Sequence, residues 1–155
     1  MGTDDEILAR IDAAFGDVPK PEHFTCYTHC EECAEHDETL RSNDRASLQV
    51  SHVGNPGWDP LCFASPAGKA YYMPALARLA LAPPTREYGW YGDQLVFHLS
   101  SGGAQNAFLA YCSPAQRQAV AGLLAHFVET RAAEAEDCFG ADDLLRAHDL
   151  WSAAG

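Results

Sequence analysis

Ser113-Pro114-Ala115-Gln116 is the sequence feature that most limits what this chain can fold into. Serine caps a helix through its hydroxyl, proline fits the first helical position, and glutamine three residues on completes the reciprocal cap. Val120, Leu123, Leu124, Phe127 and Val128 then recur on one face, the stripe of a helix packed on a core. The same grammar recurs elsewhere. Thr3 and Glu6 open a stretch in which Ile7, Leu8, Ile11, Ala14 and Phe15 share a face, with Gly16 expected to stop it in the left-handed conformation. Thr28 and Glu31 form a third such pair, which predicts a helix over 29–40. Ser65 and Pro66 start a helix that Pro74 should kink or split before Pro83 and Pro84 end it. Residues 106–112 and 141–151 complete the helical set.

Strand signals are few. Residues 48–53 allow one short strand, and Asp93 to Leu99 reads as either a short helix or a strand. The segments around Trp58 and over 85–92 are aromatic and turn-rich, which predicts long ordered loops. Trp58, Tyr71, Tyr72, Tyr88, Trp90 and Tyr91 either line a cleft or plug these loops onto the core. The expected fold class is all-α: a single compact domain over residues 1–155, with five to six helices and at most one short strand or hairpin.

Charge narrows the partners. Ten Lys and Arg against 22 Asp and Glu give a formal charge of −12. Such a surface repels phosphates, so no nucleic-acid binding is expected; a basic protein partner suits it better. No apolar run is long enough to span a bilayer, and no membrane partner is expected. The start MGTDDE has neither a signal-peptide pattern nor a serine or threonine at its sixth position for myristoylation. A cytoplasmic location follows as the expectation, and there the six cysteines stay reduced.

Residues 26–40, CYTHCEECAEHDETL, concentrate the chemistry. Wound as a helix, His29, Cys33, His36 and Leu40 fall on one narrow stripe, and Cys30 and Asp37 flank it. Glu31, Glu35 and Glu38 face away toward water, while Glu32 is placed to brace the His36 imidazole. Imidazole and thiolate suit zinc first and iron second. The candidate metal ligands are therefore His29, Cys33 and His36, with Cys30 and Cys26 next in line. Three other readings stand beside this one. Cys26-x3-Cys30-x2-Cys33 has the spacing of a radical S-adenosylmethionine cluster motif, but the chain lacks the βα alternation of those enzymes. Cys30, at the start of a helix, or a Cys33–imidazole pair also suits a reactive thiol. Finally, the stripe can simply pack on the core, since cysteine behaves as a small hydrophobe. Cys62, Cys112 and Cys138 read as packing residues, and Ser100 to Gly103 read as a plain turn. No H-E-x-x-H, G-x-S-x-G or dinucleotide fingerprint occurs.

The segments AFGDVPKPEHF, HCEECAEHDETL and NPGWDPLCFASPAGKAYYMPALARLAL, in that order, resemble a family of small bacterial proteins classed as a domain of unknown function. SPAQRQAVAGLLAHFVETR resembles that family's closing helix. Cys-Glu-Glu-Cys-Ala-Glu and Tyr-Met-Pro-Ala-Leu are the most specific parts. The resemblance implies a bacterial, cytosolic, mainly helical protein in which the second helix and the Trp58 loop share a site. It supplies no activity, cofactor or catalytic residue. The functional expectation is a transition-metal-binding protein using helix 29–40. The alternative is an acidic interaction module with neither metal nor catalysis.

Overall fold

The computed structural model describes residues 2–154. Nine α-helices form among the described residues, more than the five to six expected, and no strand does. Thr85 and Gly89 make one isolated antiparallel bridge. The extra helices are short. α3 (Val50–Val53) replaces the expected strand, because the His52 ring nitrogen accepts the Gln49 N–H at 2.9 Å and closes a turn there. α8 (Ala132–Asp137) follows α7 (Pro114–Thr130) almost directly.

Three of the four serine or threonine caps read from the sequence form. Thr3 accepts the Glu6 N–H ahead of α1 (Asp4–Phe15), and Ser65 accepts the Gly68 N–H ahead of α4 (Pro66–Leu81). Ser113 and Gln116 make the full reciprocal cap of α7. Two expectations are corrected. Gly16 is right-handed, at φ −61° and ψ −27°, so α1 ends without a left-handed stop. Pro74 does not split α4, which is helical on both sides of it. Arg45 Nε donates to the Tyr71 carbonyl at 2.5 Å, beside the Ala70 carbonyl whose usual donor Pro74 lacks. The remaining guanidinium nitrogens reach the Phe15, Gly16 and Val18 carbonyls, so one arginine joins the end of α1 to the middle of α4.

Around α7 pack α1 and α9 (Ala141–Ala154), while α4 lies against α1 and α5 (Tyr91–Ser100). Asp93 to Leu99 is thus helical. Phe15, Tyr72, Leu76, Leu95, Leu123, Phe127 and Trp151 fill the centre. Of the dense aromatics, Tyr71, Tyr72, Trp90 and Tyr91 are buried in this core, whereas Trp58 remains 42% exposed. None of the helices among the described residues is long and apolar enough to cross a membrane.

α2 (Glu31–Arg41) lies at the edge of this core and is held at its C-terminus and along its buried face. The Tyr72 hydroxyl donates toward the Leu40 and Asn43 carbonyls at its C-terminus, and Lys20 Nζ donates to those of Arg41 and Asn43. On its buried face, the Asp37 carboxylate accepts the backbone N–H groups of Phe24 and Thr25, at 2.6 and 3.2 Å, and meets His23 Nδ1 at 2.7 Å. Burial opposes the Asp37 charge, but those three donors outweigh it and hold its pKa below the ordinary value. Phe24 is itself wedged against Gly68, where a Cβ would lie 2.8 Å from its ring. Segment 23–25 is therefore fixed from both α2 and α4.

Candidate metal centre on the second helix

The helix begins later than its sequence suggests. Thr28 does not cap it; Cys30 does, with extended φ and ψ and its Sγ accepting the Cys33 N–H at 3.4 Å. The cause is the preceding segment. Thr25 Oγ1 donates to the Cys33 carbonyl at 2.6 Å, and Asp37 holds the Phe24 and Thr25 amides. These bonds draw residues 24–30 across the start of α2, where Cys26 and His29 form a turn closed by a 2.9 Å backbone bond.

The late start gathers the ligands differently from a continuous helix. His29, Cys30 and Cys33 each bring one donor atom into a group whose members lie within 4.8 Å of one another. Cys30 Sγ and Cys33 Sγ are 3.3 Å apart, and His29 Nδ1 is 3.8 Å from Cys33 Sγ. Cys33 is buried, while His29 and Cys30 are exposed, so the group opens to solvent. The Cys30 thiol is lowered to about 7, first by the Cys33 backbone N–H and then by His29 and the Cys33 thiol. Cys33 is pushed the opposite way, first by its hydrogen bond to Cys30 and then by burial.

Two expected ligands stay outside this group. His36 is fully buried between the Trp58 and Phe63 rings, at centroid distances of 4.5 and 4.9 Å. Its Nε2 meets Glu32 at 3.2 Å, the bracing contact expected of that carboxylate, while its Nδ1 has no protein partner. The two rings hold the imidazole in the packing of the Trp58 loop instead of turning it toward the thiols. Cys26 is exposed and beyond the 4.8 Å group, although its charge still raises the Cys33 pKa. Helical periodicity identified the inward face from Cys33 onward: Cys33, His36, Asp37 and Leu40 are buried, and Glu31, Glu35 and Glu38 are exposed, whereas His29, expected on the same inward stripe, precedes the helix and is exposed.

A second group was missed by sequence reasoning. Asp59, Cys62 and His98 also converge within 4.8 Å. Cys62 is exposed and does not pack inside as expected, whereas Cys112 does; its thiol is pushed by burial to about 12. No family model, curated protein or solved structure matches this chain, so its chemistry is read from these side chains alone.

Proposed function

We propose that this protein binds a transition metal, zinc by preference, through His29 Nδ1, Cys30 Sγ and Cys33 Sγ, leaving a fourth position for Cys26 or water. The supporting observation is the convergence of two sulfurs and an imidazole nitrogen at the start of α2. Tetrahedral zinc with bonds of about 2.3 Å to sulfur and 2.0 Å to nitrogen sets the sulfurs about 3.8 Å apart and nitrogen about 3.5 Å from sulfur. The 3.3 and 3.8 Å separations need only small side-chain rotations to reach these values. One ligand is a thiol already poised to lose its proton near neutrality, which binding requires. Both sulfurs and the nitrogen are soft or borderline donors, which favours zinc over calcium or magnesium.

Zinc content of protein purified without a histidine tag tests this reading. Cys30→Ser/Cys33→Ser is expected to carry one zinc fewer per chain than the parent while keeping its helical circular dichroism. A parent free of zinc that also fails to take it up on addition contradicts the proposal.

The 3.3 Å sulfur separation also supports a second reading, a reactive dithiol, for the metal-free protein. Cys30 is exposed and Cys33 is buried beside it, the arrangement in which one sulfur attacks and the other resolves. With hydrogen peroxide as oxidant, Cys30 thiolate attacks one oxygen and breaks the O–O bond, releasing hydroxide and leaving a sulfenic acid. The Cys33 thiol then loses its proton and displaces that hydroxyl as water, which closes the disulfide. Alkylation of metal-free protein by iodoacetamide checks the premise. The Cys30 rate is expected to rise with pH to a midpoint of about 7, set by its thiolate fraction. Zinc should suppress the reaction; a midpoint of about 8.5, that of an ordinary thiol, removes this reading.

A further inference from the structure

Asn55 and Asp59 each accept the N–H two residues on, Gly57 and Leu61, at 2.9 Å. Pro56 and Pro60 follow them directly, so residues 55–62 form two consecutive 3-10 turns. The second turn places the Asp59 carboxylate against α5 and ends at Cys62. On α5, Tyr91, Gln94 and His98 are spaced i, i+3 and i+7 and share one face. Asp59 Oδ2 meets His98 Nε2 at 2.7 Å and accepts Gln94 Nε2 at 2.9 Å. Asp59 and His98 are 4% and 5% exposed.

These bonds account for Asp59, Gln94 and His98 as a clamp between loop and helix. They do not account for the other members. Cys62 brings a sulfur within 4.8 Å of both the carboxylate and the imidazole, at the one side of the cluster open to water. The Tyr91 hydroxyl is buried with no hydrogen-bond partner. It lies near enough to Asp59 and Cys62 for their charges to add to burial in raising its pKa. A buried hydroxyl without a partner is a polar group that the protein's own bonds leave unexplained.

We propose that Asp59, Cys62 and His98 form a second binding site for a divalent transition metal. A carboxylate oxygen, a thiolate and an imidazole nitrogen are the donor set of an open zinc site, with three protein ligands and one position free. The ion takes the place of the contact between Asp59 Oδ2 and His98 Nε2, and Gln94 continues to orient the carboxylate as an outer partner. Lys69 of α4 is the opposing element. Its side chain lines a small cavity together with Leu61 and His98, and burial lowers its pKa while Asp59 and Cys62 counteract that effect. A dication competes with the Lys69 ammonium, which weakens binding here. This inference does not depend on the first site.

Cobalt(II) titration of the full chain, followed by visible and near-ultraviolet absorption, tests it. Cys26→Ser/Cys30→Ser/Cys33→Ser removes the thiols of the first site. It is expected to bind one Co2+ with tetrahedral visible bands and a sulfur charge-transfer band, and adding Cys62→Ser should abolish that band. In the otherwise unaltered chain, Cys62→Ser alone should lower the stoichiometry from two Co2+ to one, and this exposed position carries little folding risk. Lys69→Met should tighten binding by on the order of tenfold by removing a nearby positive charge. Absence of Co2+ binding in the triple variant, or a charge-transfer band that survives the addition of Cys62→Ser to that triple variant, overturns the proposal. If the unaltered chain and the triple variant both bind a single Co2+, the first site fails and this one stands.

Discussion

Saturating zinc is expected to raise the unfolding free energy of the metal-free chain, with between about 2 and 4 kcal/mol of the increase arising at Cys30 and Cys33. The upper figure is the linkage limit at a free concentration of about 1,000 times the dissociation constant, for an ion that binds only the folded state. The actual value should fall below that limit because His29, Cys30 and Cys33 lie within five residues of one another. An unfolded chain can still wrap such closely spaced donors around an ion, and any binding to the unfolded state subtracts from the effect. The folded state retains an advantage because Asp37 and Thr25 already hold the segment against the start of α2. Urea unfolding with and without zinc measures the difference. The zinc-induced shift in Cys30→Ser/Cys33→Ser should be smaller by this amount, at an unchanged denaturant slope. Equal shifts in parent and variant would assign the stabilisation to other residues.

Trp151→Ala is expected to cost about 3–5 kcal/mol, the usual range for removing a large aromatic from a close-packed interior. Trp151 is fully buried on α9, its ring 5.6 Å from that of Phe108. Its Nε1 donates to the Leu99 carbonyl at 2.8 Å, so the substitution leaves both a cavity and an unmet acceptor at the end of α5. Leu145, six residues earlier on the same helix, is 50% exposed and serves as the comparison. Leu145→Ala should change stability by less than about 1 kcal/mol. Urea midpoints measure both variants, and similar losses in the two would contradict the assignment of Trp151 to the core.

The contrast between Ser113 and Thr28 shows which parts of the fold could be read in advance. Ser113 and Gln116 satisfy each other over four residues, so no distant contact is needed to make the cap. Thr28 and Glu31 have the same pattern, yet Asp37 and Thr25 impose a different backbone path, and Cys30 takes the capping position. Helical spacing still identified the buried face of α2, because periodicity outlasts a shift of two residues at a helix end. The bracing of His36 by Glu32 was legible in their i, i+4 spacing, but periodicity could not say that the Trp58 and Phe63 rings would hold this imidazole away from the thiols while His29 met them. α3 and α8 were missed because helices of four and six residues are held by tertiary contacts more than by propensity. Asp59, Cys62 and His98 were illegible as a group because His98 lies 39 residues beyond Asp59 on another element. The visible hint was the spacing of Tyr91, Gln94 and His98, which puts three polar groups on one face of α5.

X-ray absorption at the zinc edge of Cys62→Ser protein loaded with one equivalent of zinc tests the central claim most directly. Two or three sulfurs at about 2.3 Å, with imidazole nitrogen at about 2.0 Å, are predicted for an ion held by Cys30, Cys33 and His29. A first shell of oxygen and nitrogen alone would contradict it.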